Sequence, residues 1–69
     1  MNNFISIKSD RIRKDDIVYY GYDFDKKKNK YYIYIEVDHC GCYFSSKLYY
    51  YYDSSKEVLD ALCEIDIGL

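Results

Sequence analysis

The chain has 69 residues, with 12 acidic and 10 basic side chains and a formal net charge of -2. That length allows one domain, covering residues 1–69, and a domain this small buries only about 60% of the surface that its unfolded chain exposes. Because a general DNA-binding surface is usually clearly basic, this charge argues against one, and we expect no direct binding to duplex DNA.

Alternation of apolar and polar residues predicts four β-strands. These strands cover about residues 4–8, 17–25, 31–37 and 43–52. The polar stretch 9–16 is predicted to be a turn in which Ile12 points inward. The loop after the second strand is rich in lysine, which is typical of a solvated hairpin tip and discourages edge-to-edge pairing. A bend is expected in the fourth strand near Ser45 and Ser46.

The alternation also assigns side chains to the two faces of the predicted sheet. In the second strand, Val18, Tyr20, Tyr22 and Phe24 form one face, and Tyr19, Gly21 and Asp23 form the other. In the third strand, Tyr31, Ile33, Ile35 and Val37 form one face, and Tyr32, Tyr34 and Glu36 form the other. The candidates for the face opposite the helix are Tyr32, Tyr34, Tyr49 and Tyr51.

A helix is predicted over about residues 55–65, where the apolar period changes. Ser54 precedes Glu57 by three positions, which is the spacing of a capping box. The apolar side of this helix carries Val58, Leu59, Leu62 and Ile65, and the opposite side carries Glu57, Asp60 and Glu64. The predicted fold class is therefore α+β: a small antiparallel sheet of about three to four strands, with one C-terminal amphipathic helix packed on one face.

One helix covers only one face of a sheet, so the other face is predicted to be open and rich in tyrosine. Tyrosine has a high strand propensity and tolerates water at its hydroxyl, which explains such a face without any function. Tyrosine is also enriched at binding hot spots, which would make the face a recognition surface. Stacking on single-stranded nucleic acid is a third interpretation, assisted by lysines of the hairpin loop. Those lysines are Lys26, Lys27, Lys28 and Lys30.

The acidic side of the helix also has two interpretations. It is either a solvated face or a surface that docks to a basic groove on a nucleic-acid enzyme. Four aspartates, Asp15, Asp16, Asp23 and Asp25, could extend it. The candidate partner-binding residues are Tyr32, Tyr34, Glu57, Asp60 and Glu64.

The N-terminal segment suggests the compartment. Residues 1–16 lack the apolar region of a signal peptide, and no apolar run approaches the roughly 20 residues that span a bilayer. We therefore expect a cytoplasmic location without membrane contact, where the three cysteines stay reduced.

The only histidine and two of the three cysteines lie within four positions, as His39, Cys40 and Cys42. Zinc takes such ligands in tetrahedral geometry, and Gly41 lets both thiols turn toward one point. We expect one structural zinc ion, with Cys63 as the fourth ligand if the fourth strand bends. Asp38, a residue near the C-terminus or a second chain could replace Cys63. An ordinary turn with incidental cysteines, or a strained redox pair, are the alternatives to a metal site.

No enzyme is expected from the polar residues. The chain has no second histidine for a histidine-rich catalytic zinc site, no phosphate-binding loop and no GxGxxG sequence. The spacing of serines, histidine and aspartates also supports no hydrolytic triad.

Three stretches carry a resemblance to a known group: "VDHCGCYF", "YYIYIEV" and "LYYYYDSSKEVLDALCEIDIGL". With a composition that favours AT-rich codons, the chain resembles the small phage-encoded anti-CRISPR proteins that inhibit type II RNA-guided nucleases. The resemblance implies a stoichiometric inhibitor in the cytoplasm of a bacterial host. As a monomer or homodimer, it would bind a CRISPR effector nuclease and block target DNA loading or cleavage. A small nucleic-acid-binding or regulatory module of a mobile element is the alternative, and an assembly factor that dimerises through an edge strand is a third.

Overall fold

A computed structural model describes residues 3–38 and 45–69. The elements in chain order are β1 (Phe4–Ile7), β2 (Asp10–Arg13), a short 3-10 turn (Lys14–Asp16), β3 (Ile17–Asp25), β4 (Lys30–Asp38), β5 (Ser45–Tyr52) and α1 (Ser55–Gly68). β1 and β2 form an antiparallel hairpin, and β3, β4 and β5 form a three-stranded antiparallel sheet in that order. The predicted α+β class with a C-terminal helix packed on the strands is confirmed. Within the two described ranges, no helix has the length and apolarity required to cross a bilayer.

The prediction of a turn over 9–16 is wrong for Asp10–Arg13, which forms β2. Ile12 is the one buried residue of this strand and pairs with Ile5 of β1. A four-residue strand with a single inward side chain has too short an alternation to be recognised. Its existence depends on pairing with β1, which a reading of the segment alone does not include.

Both hairpin loops use residues with positive φ. Lys8 has a φ of 53° in the two-residue turn between β1 and β2, which fits the primed turns that suit the twist of hairpin strands. In the lysine-rich loop, the Asp25 carboxylate accepts hydrogen bonds from the backbone N–H groups of Lys27 and Lys28, at 3.0 and 3.3 Å. Asn29 then takes a φ of 55° and leads the chain into β4.

A β-bulge changes the predicted pattern at the start of β3. Ile17 pairs with Val37 while Tyr19 pairs with Glu36, so Val18 is an extra residue in the ladder. The alternation predicted Val18 on the same face as Tyr20. Val18 is instead 55% exposed and lies outside the core. The bulge depends on the register between two strands and is invisible in either strand alone.

The core lies between α1, the inner face of the three-stranded sheet and the β1–β2 hairpin. Its buried side chains are Ile5, Ile7, Ile12, Ile33, Ile35, Val37, Tyr50, Val58 and Ile65. α1 contributes Val58 and Ile65, which lie on the same face of the helix, two turns apart. The predicted apolar side therefore faces the sheet, except that Leu59 is 45% exposed at its border.

The helix begins as the capping signal predicts and ends three residues beyond the predicted boundary. The Ser54 side chain accepts a hydrogen bond from the backbone N–H of Glu57 at 3.3 Å, and the Glu57 carboxylate accepts one from the backbone N–H of Asp53. β5 runs back along β4 without a register shift from Tyr52 to Ser45, so the bend predicted near Ser45 is absent. Predicted strand residues 43 and 44 lie outside the described residues.

Candidate protein-binding face

The outer face of the three-stranded sheet, on the side opposite α1, carries five tyrosines. We call this set the tyrosine face: Tyr19 of β3, Tyr32 and Tyr34 of β4, and Tyr49 and Tyr51 of β5. Strand alternation forces this arrangement, because the intervening residues Ile33 and Ile35 point into the core. The prediction of an uncovered tyrosine-rich face is therefore consistent with the placement of all five side chains.

Tyr32 is the centre of the contacts among the five rings. Its ring centroid lies 5.5 Å from that of Tyr51, 5.7 Å from that of Tyr49 and 6.3 Å from that of Tyr34. Tyr34 in turn contacts Tyr19 at 6.0 Å with an interplanar angle of 69°. These separations and tilted or edge-to-face orientations are those that aromatic pairs prefer. The rings therefore restrict one another's rotation, so they lose little further conformational freedom when a partner binds.

Gly21 makes room for this ring cluster. It pairs with Tyr34 across the strands, and a Cβ atom built on Gly21 would lie 2.7 Å from Cζ of Tyr34. The Tyr34 ring therefore occupies the space above the glycine, as aromatic side chains do when they cover a strand glycine.

The tyrosines differ in exposure. Tyr49 is 51% exposed and Tyr19 is 42% exposed, whereas the three other rings are half-buried. Burial among its neighbours, followed by the charge of Asp23, raises the pKa of Tyr32. The folded state therefore favours the neutral phenol of Tyr32 over the phenolate.

Charged groups of both signs surround the rings. The Tyr19 hydroxyl donates to Glu36 at 3.3 Å, and Lys28 Nζ lies 4.3 Å from the centre of the Tyr51 ring. At the same end of the sheet, Lys30 Nζ lies 3.4 Å from a carboxylate oxygen of Asp53. The border of the face is therefore polar and of mixed sign, which is common at the rim of protein interfaces.

The candidate partner-binding residues fall on two separate surfaces. Tyr32 and Tyr34 lie together on the tyrosine face. The acidic residues lie on α1, on the other side of the sheet, where they line an open groove of about 420 Å³. The groove is lined by Lys8, Tyr52, Glu57, Asp60, Ala61 and Glu64. Tyr19, Tyr49 and Tyr51 are not among the candidate partner-binding residues. Tyr49 and Tyr51 were predicted on the open face, whereas the placement of Tyr19 there depends on the register between β3 and β4.

The predicted zinc ligands are only partly within the described residues. His39, Cys40 and Cys42 lie outside them, so this site stays a prediction. Cys63 lies on α1 with an exposed, free thiol. Across residues 3–38 and 45–69, no group of three or more histidine, cysteine, aspartate or glutamate side chains is placed to hold a metal ion.

Comparison of the chain with protein-family models, with curated proteins and with solved structures found no match. The functional inference therefore depends on the chemistry and placement of the chain's own residues.

Proposed function

We propose that this chain is a stoichiometric protein-binding inhibitor without enzymatic activity, and that the tyrosine face is its main contact surface. The observation that supports this proposal is the set of five tyrosine rings, linked by ring contacts, on the side of the sheet that faces away from α1. Tyrosine offers a large contact area and a hydroxyl while having few rotatable bonds, so its ordering costs little on binding.

The charges on this face favour a protein partner over a nucleic acid. Four carboxylates share the outer face with the rings: Asp23, Asp25, Glu36 and Asp53. Of the nearby cations, Lys28 lies over Tyr51, Lys47 lies 5.7 Å from the centre of the Tyr19 ring, and Lys30 pairs with Asp53. A phosphate backbone would approach several carboxylates without a free row of cations, whereas a protein with mixed charges can match the border.

The resemblance to small anti-CRISPR proteins supplies the class of partner that we propose. The partner would be a type II CRISPR effector nuclease in the bacterial cytoplasm. Occupation of its surface by the tyrosine face would prevent target DNA loading or cleavage. The acidic residues of α1 are a second contact that could dock to a basic groove of the same nuclease.

The experiment measures binding to a guide-loaded type II nuclease by co-elution, and inhibition by a DNA cleavage assay. We expect Tyr49→Ser to weaken binding at least tenfold, since exposed aromatic anchors carry much of the binding free energy at interfaces. Leu59→Ser is the control, because Leu59 is 45% exposed but lies on the other side of the sheet. Equal affinities for wild type and Tyr49→Ser would contradict the proposed surface.

A second variant tests the helix separately. Reversing the charges of Glu57, Asp60 and Glu64 together should weaken association more at low salt than at high salt. Unchanged binding would remove this side of α1 from the interface.

The alternative function, nucleic-acid binding, is tested with labelled duplex and single-stranded oligonucleotides at 0.15 M salt, close to physiological ionic strength. We expect no discrete complex with duplex DNA at micromolar protein. A single-stranded complex that Tyr49→Ser weakens would favour the nucleic-acid module over the inhibitor.

We also propose that His39, Cys40 and Cys42 hold one structural zinc ion, with the fourth ligand supplied by Cys63, Asp38, a residue near the C-terminus or a second chain. The small core supports this proposal, because chains below about 70–80 residues often need a metal, disulfides or oligomerisation for stability.

A further inference from the structure

The four carboxylates on the outer face of the sheet have unequal sets of partners. Three of them each contact a polar side chain of another strand: Glu36 contacts Tyr19, Asp25 contacts Tyr51 and Asp53 contacts Lys30. Asp23 differs from these three. Within the described part of the chain, its side chain accepts only from the backbone N–H of the adjacent Phe24, at 2.8 Å. Of the residues described, no cation pairs with this exposed carboxylate.

Asp23 lies beside the ring at the centre of the tyrosine face. It is the cross-strand partner of Tyr32, and the Cβ atoms of such partners are about 4.5–5.5 Å apart. Burial of the ring, and then the charge of Asp23, raises the pKa of Tyr32. One group that lies over the Tyr32 ring could therefore also contact the Asp23 carboxylate.

Two rings of the tyrosine face already have cations over them. Lys28 Nζ lies 4.3 Å from the centre of the Tyr51 ring, and Lys47 Nζ lies 5.7 Å from the centre of the Tyr19 ring. Among the described residues, no cation lies over the other three rings, which are Tyr32, Tyr34 and Tyr49. The middle of the face therefore combines aromatic surface without a cation and a carboxylate without a cation.

We propose that the tyrosine face binds an arginine side chain of its protein partner, with the guanidinium group stacked on Tyr32 and paired with Asp23. This inference rests on the proposal that the tyrosine face is a contact surface, and it names the chemistry that the surface recognises. A guanidinium group is planar, stacks on aromatic rings and pairs with a carboxylate through two parallel hydrogen bonds. When it lies flat on a ring, its N–H groups point outward from its edge, toward the neighbouring carboxylate. A lysine ammonium group is a compact, strongly hydrated charge and lacks this geometry.

The chemistry of arginine also indicates the kind of surface that the face would cover. The N–H fork of arginine matches phosphate as well as carboxylate, so arginines are common on protein surfaces that hold nucleic acid. A nuclease that holds a guide RNA and a target DNA presents such side chains. The Asp23 carboxylate would then take the place of a phosphate group.

The experiment is an NMR titration of the whole chain with a capped pentapeptide that has one central arginine, at 0.15 M salt, where long-range attraction is screened. The same peptide with lysine or with citrulline, which has a similar shape and no charge, is compared. We expect the arginine peptide to bind about threefold more tightly than the lysine peptide, and the citrulline peptide to bind more weakly than both. The side-chain protons of the arginine should shift upfield, because they enter the shielded region above an aromatic ring.

Three variants locate the contact. Asp23→Asn keeps the shape of the side chain, and it should weaken binding of the arginine peptide about threefold because the ion pair is lost. Tyr32→Leu should abolish the upfield shift. Asp60→Asn is the matched control, since it makes the same change at an exposed position of α1 on the other side of the sheet. It should leave the affinity and the upfield shift unchanged, and circular dichroism confirms that each variant is folded.

Equal affinities for the arginine and lysine peptides, or the absence of the upfield shift, would overturn the inference, and neither result depends on a variant. Equal losses of affinity in Asp23→Asn and Asp60→Asn would also overturn it. A chain that prefers the arginine peptide but does not bind the nuclease would contradict the proposed function and support this inference. A nuclease complex that Tyr49→Ser weakens and Asp23→Asn does not would support the proposed function and contradict this inference.

Discussion

The ring of Tyr34 lies over Gly21 of the neighbouring strand and fills the space that a side chain would need. Gly21 and Tyr34 are direct cross-strand partners, and Cζ of Tyr34 is only 2.7 Å from the position of a Cβ atom on Gly21. The same ring contacts Tyr19 and Tyr32. One glycine therefore positions the ring that links β3 to the centre of the tyrosine face.

Gly21→Ala tests this relationship. The added methyl group forces the Tyr34 ring away and breaks its contacts, which outweighs the gain in strand propensity. We expect a loss of about 1 kcal/mol in the free energy of unfolding, measured by urea denaturation. In a Tyr34→Ala background the same change should be neutral or stabilising. An equal loss in both backgrounds would show that the ring is not the cause.

The fold could be predicted where one strand or helix carries its own pattern. The alternation in β3 and β4 assigned Tyr20, Ile33 and Tyr32 to the correct faces, and the Ser54 signal placed the start of α1. The features that were missed depend on pairing between segments. β2 is defined by its register with β1, and the bulge at Val18 by the register of β3 with β4.

The candidate site shows the same division. Alternation identified an open tyrosine face, because alternation within a single strand determines on which face of the sheet each side chain lies. It could not show that Tyr32 is the centre of the ring cluster, or that the acidic residues of α1 lie on the other side of the sheet. Those facts require the strand order and the position of the helix, which follow from tertiary contacts between residues far apart in the chain.

A hydrogen bond between Tyr50 and Asp10 makes the free energy of unfolding depend on pH in the alkaline range. The Tyr50 hydroxyl donates to a carboxylate oxygen of Asp10 at 2.9 Å and joins β5 to the β1–β2 hairpin. Burial, together with the hydrogen bond to Asp10 and its charge, raises the pKa of Tyr50 from 10.0 to about 12. The folded state therefore favours the neutral phenol, and its contribution to stability is complete below pH 10.

This contribution is lost as the pH rises through the folded-state pKa, so the free energy of unfolding should fall between about pH 10 and 12. Tyr50→Phe should reduce that fall by on the order of 2 kcal/mol, measured by urea denaturation across this range. Tyr22→Phe, at an exposed position, is the control. Tyr20 and Tyr52 also have raised pKa values, from the hydrogen bond to Asp66 and from burial respectively, so some slope remains. An unchanged slope in Tyr50→Phe would contradict the assignment.

The zinc prediction concerns Cys40 and Cys42. Because a metal site is absent from the unfolded chain, binding adds directly to folding stability. Protein purified without a metal-affinity tag should contain about one zinc per chain, or half that if two chains share a site. Chelation should lower the melting temperature, and Cys40→Ser or Cys42→Ser should match the chelated protein.

Cys63→Ser decides the fourth ligand. The regular pairing of β5 with β4 down to Ser45 removes the bend that was expected to bring Cys63 close. Full zinc content in this variant would therefore identify Asp38, a residue near the C-terminus or a second chain as the better candidate. Wild-type protein that contains no zinc and does not respond to chelator would show that residues 39–42 form an ordinary turn.

Lys8 occupies a backbone conformation that favours glycine, and its side chain makes contacts that glycine would lack. Its φ is 53°, and its Nζ atom donates to the backbone carbonyl of Tyr51 and lies 4.5 Å from the centre of the Tyr52 ring. The side chain also lines the groove that contains the three carboxylates of α1. Lys8 thus links the β1–β2 turn to the end of β5 and places a positive charge beside the acidic side of α1.

Two substitutions separate the backbone cost from the side-chain contacts. Lys8→Met keeps the unfavourable φ but loses the hydrogen bond and the cation–π contact, so we expect a loss of about 1 kcal/mol in the free energy of unfolding. Lys8→Gly loses the same contacts but relieves the backbone, so it should be more stable than Lys8→Met by roughly 1 kcal/mol. The loss in Lys8→Met should also be greater at low salt, because the helix carboxylates then lack a nearby cation. Urea denaturation at two salt concentrations measures all three effects, and equal stabilities of the two variants would show that the turn carries no backbone cost.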